Sequence, residues 1–251
     1  AFALLGVLGV VFFVPESLSI DKRHSHGLAT SVVSMAKMWR DPVYRWYAIV
    51  MFMSFGVMFT YLGTCSLTLQ IALNQPAWVA AAALALNGGG IILAGILTAT
   101  LSKRISGVAL VFTSIFIQLL GIAYLALVYF TNSLSVVNIL IIYFVITWAL
   151  GMIFGPVTAL ALTHKRDAAG TALGQIGLIQ FIVASVISAL VGTITPNPAE
   201  SMLILGGVAI SIGIIASFLG RSALLRHPAE TAHEAPVLPA EFIPGETLGE
   251  I

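Results

Sequence analysis

Charge is what this sequence has least of. Only 8% of its 251 residues are Asp, Glu, Lys or Arg, against about 25% in soluble domains. Hydrophobic residues make up 59%, against about 45–50%, and mean hydropathy is +1.04. A water-soluble globule of this size needs a charged surface, so soluble enzymes, nucleic-acid-binding proteins and disordered chains are excluded. A formal net charge of +1 gives no reason to expect a polyanionic partner. Cysteine is also scarce: the single Cys65 excludes an internal disulfide framework and a multi-cysteine metal site. What remains is an integral membrane protein of the helical kind.

The uncharged stretches are long. No Asp, Glu, Lys, Arg or His occurs from Trp46 to Ser102, or from Ile105 to Thr163, and only Glu200 interrupts Ala168 to Gly220. A span needs ~20 apolar residues, so each block is too long for one span and right for two with a turn. The turns are visible as Asn74-Gln75-Pro76, Thr131-Asn132-Ser133 and Thr195-Pro196-Asn197-Pro198. Six full spans are predicted at 46–72, 78–101, 106–130, 135–162, 169–194 and 201–220. Continuous apolar runs exclude a β-barrel, whose strands alternate in segments of ~10 residues.

The 11 Lys and Arg partition cleanly. Lys22, Arg23, Lys37, Arg40 and Arg45 precede the first block. Lys103 and Arg104 lie between the first two blocks, Lys165 and Arg166 between the next two, and Arg221 and Arg226 follow the third. None falls in a predicted turn. The positive-inside rule places these four regions in the cytoplasm and the turns outside. Residues 1–14 are wholly apolar, lack the basic start and cleavage site of a signal peptide, and are too few to span. They read as the inner end of a truncated span. Residues 15–45 form a cytoplasmic link. Within it Val32, Met35, Ala36 and Trp39 share one face, which predicts an amphipathic helix near 31–40, ended by Asp41-Pro42. Residues 46–225 form the six-span unit. The acidic, proline-rich segment 226–251 reads as a disordered cytoplasmic tail, with His227 and His233 solvated there.

The predicted spans contain no embedded acid, base or histidine. This argues against an intramembrane protease, a haem protein or a pump with its own carboxylate here, and nothing calls for a cofactor or a metal. Transport remains, because a cavity can be apolar with a few polar groups. The polar candidates are Gln70, Asn74, Asn87, Gln118, Asn138, Gln175 and Gln180, each either glue between helices or facing a cavity. Tyr61, Cys65 and Thr68 stack on one face of the first span, as Trp148 and Met152 do on the fourth. Gly151-x-x-x-Gly155 and Gly170-x-x-x-Gly174 allow close helix approach. Gly88-Gly89-Gly90 sits mid-span, where helix propensity falls. Pro156 removes a backbone donor and is expected to kink its helix.

These features together resemble the major facilitator superfamily, and more narrowly the C-terminal half of a drug:proton antiporter of the bicyclomycin/chloramphenicol-resistance type. The likeness runs from about Pro15 to Leu225. Pro15-Glu16-Ser17-Leu18 resembles the motif that follows the family's sixth span, and Asp41-Pro42-Val43-Tyr44 leads into the seventh. Met58-Phe59-Thr60-Tyr61 through Leu69-Gln70 resembles the seventh span itself, Asn87-Gly88 the eighth, and Gly151 to Leu162 the tenth. Ala169-Gly170-Thr171-Ala172, with Gly177, Gln180 and Phe181, resembles the eleventh and is the most specific part. Cys65-Ser66 replaces the family's Ser-Pro, Leu173 stands where a Ser is usual, and Ser102 to Gly107 is a weakened basic loop motif. The resemblance implies twelve spans in two halves, each an inverted repeat of three helices, although no sequence repeat is visible. It implies a cavity lined here by the seventh, eighth, tenth and eleventh spans, with the ninth and twelfth facing lipid. Gln118, on the ninth, does not fit.

The expected fold is therefore all-α, the C-terminal six-helix bundle of a twelve-span protein. The expected function is that of a multi-pass multidrug efflux antiporter of the bacterial inner membrane, not an enzyme. Its partners are the lipid bilayer, a missing N-terminal half and a small amphipathic substrate. Tyr61, Gln70, Asn87, Gln175 and Gln180 are the candidate cavity residues. Lys103 and Arg104 either contact the opposite half at a cytoplasmic gate or simply set topology. Gly151, Gly155, Pro156, Gly170 and Gly174 provide kink and close packing. An exporter of a sugar or other metabolite, or a non-transporting subunit made from a transporter half, remains open. The cation partition makes a direct prediction. A cysteine replacing Glu230, in a Cys65→Ala background, is expected to resist an impermeant thiol reagent in intact cells. Labelling there would reverse the orientation.

Overall fold

Six helices lie where the apolar runs predict them. The computed structural model describes residues 35–165 and 168–227. The expected span end at 1–14, most of the 15–45 link and the tail from 228 onward lie outside the described residues. Only a helical turn at 35–38 is described of the amphipathic helix near 31–40. The six long apolar helices are α1 (Pro42–Ala72), α2 (Ala77–Leu101), α3 (Gly107–Phe130), α4 (Val136–Ala161), α5 (Ala169–Ile194) and α6 (Pro198–Arg226). No strand occurs among the described residues.

The ends follow from capping chemistry. Asp41 is extended and accepts from the N–H of Val43 at 2.8 Å and of Tyr44 at 3.2 Å, with Pro42 at the first helical position. This starts α1 four residues before the predicted Trp46 boundary. Ser106 and Ser135 cap α3 and α4 in the same way. Asn197 accepts from the N–H of Ala199 and Pro198 follows it, so α6 begins at 198 and not 201, and it continues to Arg226. Asn74 and Asn132 turn the chain with φ of 50° and 51°, the left-handed conformation that Asn tolerates better than most residues. Two short π-helical stretches, Thr68–Ala72 and Met202–Gly206, widen the end of α1 and the start of α6.

Sequence neighbours are not the main packing partners. α1 packs chiefly on α6, α5 and α4, and only slightly on α2. α4 packs on α3, α2 and α1. Exchanging α1–α3 with α4–α6 maps the α1–α5 contact onto α4–α2 and the α1–α6 contact onto α4–α3. This is the contact pattern of two related three-helix units, present in the packing although no sequence repeat is visible. α1 and α4 form the buried centre, and α5 and α2 are the least buried spans.

The tightest crossing joins α2 and α4. A Cβ on Gly151 would collide with the Ile91 carbonyl and lie 2.9 Å from the Ala94 Cβ. Gly155, Gly170 and Gly174 have open space around the corresponding position. Pro156 is buried inside α4, which continues to Ala161. Gly151→Ala is therefore expected to destabilise the protein by about 1–3 kcal/mol through overpacking. Gly155→Ala is expected to be neutral or to stabilise it by about 0.5–1 kcal/mol, because helical glycine is costly. Thermal unfolding of the detergent-solubilised variants separates the two.

Candidate substrate-facing site

A hydroxyl in a membrane helix has little water to bond, so it bonds its own backbone or another helix. Ser54, Thr60, Thr64, Thr98, Ser114, Thr147 and Ser217 all donate to the carbonyl four residues back. The bonds that cross between helices are fewer, and away from the α3–α4 and α5–α6 turns they converge on α1. Asn87 Nδ2 of α2 donates to the Tyr61 hydroxyl at 2.8 Å. Tyr143 of α4 donates to Thr64 Oγ1 at 3.1 Å, with Thr68 Oγ1 3.4 Å away. The Tyr61 and Tyr143 rings meet edge to face, with centroids 5.2 Å apart. Tyr44 donates to Gln175 Oε1 of α5 at 2.9 Å, beside the Ala172 carbonyl at 3.2 Å.

The predicted cavity residues thus separate into two groups. Tyr61, Asn87 and Gln175 are buried between helices and bonded to α1 or from it. Asn87 Oδ1 has no partner among the described residues. Gln70 and Gln180 are half-buried. Gln70 donates to Ser66, one turn back on its own helix. Gln118 is buried on α3, and its Nε2, without a partner, lies beside a void of about 10 Å³ that Ser54 also lines. Asn138 closes the α3–α4 turn, accepting from Tyr124 and donating to the Ser133 carbonyl.

An aromatic cluster lies on a different face of α1. Phe55, Phe59, Leu62, Ser66 and Gln70 recur at helical spacing, and each is half-buried or exposed. The Phe55 ring lies 5.1 Å from Phe154 of α4, 5.8 Å from Phe181 of α5 and 6.5 Å from Phe59. Phe59 and Phe181 meet at 6.2 Å. Four rings from three helices therefore form one partly open apolar surface, edge to face where Phe181 meets the other two. The cavity residues expected from sequence include Tyr61 of the bonded face and Gln70 of this open one, but none of the four phenylalanines. The signal for the open face was the Phe55-x-x-x-Phe59 spacing. Beside this surface a groove of about 730 Å³ opens between α2 and α4 on one side of their crossing, lined by Phe154, Gly155, Pro156, Thr98, Ser102 and Thr163.

At the end of the bundle that holds Lys103 and Arg104, charges are explicit. Those two residues are exposed in the α2–α3 turn. Asp41 binds Lys165 Nζ at 3.2 Å and faces His164 Nδ1 at 3.2 Å while capping α1. Partial burial works against the Asp41 charge. The Tyr44 N–H, the Lys165 ammonium and the Val43 N–H outweigh it and hold the carboxyl below its usual pKa.

Six apolar helices long enough to cross a bilayer, paired as two three-helix units, define a multi-pass helical membrane protein. Residues 1–189 match the sequence model of the Major Facilitator Superfamily, and the chain belongs to that superfamily. It is 24% identical over 213 residues to YdgK, an uncharacterized MFS-type transporter of Bacillus subtilis (strain 168), across 84% of this chain and 52% of that protein. The chain thus spans about half the length of the curated relative it matches.

Asp41 provides a pH test. Its lowered pKa means that its stabilisation is fully present above the ordinary carboxylate range and is lost as pH falls through the lowered value. Asp41→Ala is expected to cost about 1 kcal/mol at neutral pH through loss of the cap. The gap in melting temperature between wild type and variant is expected to narrow on acidification. A gap constant with pH would remove the carboxylate from this role.

Proposed function

We propose that the chain is the C-terminal half of a proton-coupled efflux transporter for small amphipathic compounds, of the bicyclomycin/chloramphenicol-resistance type, working by alternating access. The observation that carries this reading is the half-open surface of Phe55, Phe59, Phe154 and Phe181, with Gln70 at helical spacing from Phe55 and Phe59 on α1 and Gln180 next to Phe181 in the chain. Aromatic walls with a few neutral polar groups bind amphipathic molecules by shape and apolar contact, without demanding one hydrogen-bond pattern. A sugar site would need a denser array of polar partners than this face carries.

In this reading the other half of the transporter lies against the least buried spans, α2 and α5, whose Gly88, Gly89, Gly170 and Gly174 leave room for close approach. Rocking of the two halves exposes the phenylalanine surface alternately to each side. The end carrying Lys103 and Arg104 is cytoplasmic, and these two residues sit at the gate. Tyr61, Asn87, Tyr143 and Gln175 hold the helices behind the surface.

Coupling to protons needs a group that binds and releases them within the cavity, normally an acid of tuned pKa. Between Trp46 and Gly220 the described helices carry one acid, Glu200, at the α5–α6 turn, where Tyr129 donates to it at 3.3 Å. The coupling carboxylate therefore belongs to the other half.

Dye efflux from energised membrane vesicles tests the reading. Residues 1–251 alone are expected to insert without uncoupler-sensitive efflux, and co-expression of the other half is expected to restore it. In the restored pair, Phe181→Ala and Gln180→Ala are expected to alter the substrate profile at unchanged abundance. Coupled efflux by residues 1–251 alone, or variants that lower only abundance, would overturn the proposal.

A further inference from the structure

Outside the phenylalanine face, a second cleft combines a cation with apolar walls. It lies between the start of α3 and the end of α6, has a volume of about 530 Å³, and is lined by Arg221, Thr113, Ser106, Phe112, Leu224 and Leu225. Arg221 forms no ion pair among the described residues. The Thr113 hydroxyl is unusual in this protein. Thr60, Thr64, Thr98, Thr147 and Thr158 donate to their own helix four residues back, whereas Thr113 makes no hydrogen bond among the described residues. Ser106 is occupied in capping α3. Away from the helix ends the same two helices present an apolar surface, with Phe116 57%, Ile215 59% and Phe218 55% exposed. The Phe112 and Phe218 rings join the helices at 4.9 Å.

A guanidinium that forms no ion pair among the described residues, at the edge of a hydrocarbon layer, attracts an anion. The anion present at that depth is a lipid phosphate, which a guanidinium binds through charge-assisted hydrogen bonds. We infer that the α3–α6 cleft is a binding site for one anionic phospholipid of the leaflet at this end of the bundle. Arg221 and Thr113 take the headgroup phosphate, and Phe112, Leu224 and Leu225 take the glycerol and upper acyl chains. Charge complementarity selects the headgroup, and the continuous apolar surface below it selects a lipid over a free ion. The inference is independent of what the phenylalanine surface binds.

Native mass spectrometry of the full-length protein in detergent tests it, with phosphatidylglycerol as probe and phosphatidylcholine as the uncharged-headgroup comparison. Wild type is expected to retain phosphatidylglycerol in preference. Arg221→Gln is expected to lower its affinity about fivefold, the value of one basic contact at a membrane surface. Arg226→Gln removes the same charge outside the cleft and is expected to leave retention unchanged. Ala109 also lines the cleft; Ala109→Trp fills it, keeps every charge and is expected to abolish the preference. It decides the matter if Arg221→Gln does not fold. Equal loss in Arg221→Gln and Arg226→Gln, retention in Ala109→Trp, equal binding of phosphatidylcholine, or displacement of the lipid by excess inorganic phosphate would each overturn the assignment.

Discussion

Satisfying polar groups without water is the constraint on which this fold depends. In hydrocarbon an unpaired backbone or side-chain dipole costs several kcal/mol. The long helices meet the backbone part, and the hydroxyls that bond back to their own turns meet most of the rest. The bonds left over are the ones that cross between helices, and they are specific because they are few. Tyr44 to Gln175, Asn87 to Tyr61 and Tyr143 to Thr64 tie α5, α2 and α4 to one helix, α1. Lipid is as apolar as the protein interior, so hydrophobic burial alone does not set which faces meet. Small residues and the inter-helix bonds, these three among them, do so instead.

The same logic divides the surface. α2, α3, α5 and α6 all expose large apolar side chains, and on α2 and α5 glycines with open space around them lie among these. Between them, on the central pair, the phenylalanine surface joins α1 and α4 to α5. One apolar composition therefore yields surfaces of different character: broadly aliphatic on the outer helices, with glycine gaps on α2 and α5, and aromatic where α1, α4 and α5 meet.

Much of the fold was legible because charge is excluded so strongly from the bilayer. The uncharged runs place all six helices, and Asn74 and Asn132 mark turns that require a positive φ. The starts of α1 and α6 were placed late because Asp41-Pro42 and Asn197-Pro198 read as stop or turn signals. In three dimensions each is also an N-cap followed by proline, the signature of a beginning. The site was less legible. On a soluble helix the polar stripe identifies the outer face, but here both faces of α1 are apolar. Tyr61 and Phe59 are equally credible from sequence, and only the placement of α2, α4 and α5 distinguishes the bonded face from the open one. Gln118 shows the same limit: it was judged misplaced on a lipid-facing span, yet it points inward, toward α1 and α6.

The pairing of α2 with α4 has a consequence for how the molecule is made. Chains emerge from the ribosome N-terminus first. α2 is therefore complete, Gly88-Gly89-Gly90 included, before any residue of α4 exists. Its most extensive contact among the described residues, where the Gly151 backbone meets Ile91, must wait for the whole of α3 and more than half of α4 to be synthesised. Within the described residues, α2 until then makes only a slight contact with α1. Within this six-helix unit, then, the two three-helix halves are joined through α4 only late in synthesis, after α1, α2 and α3 are complete.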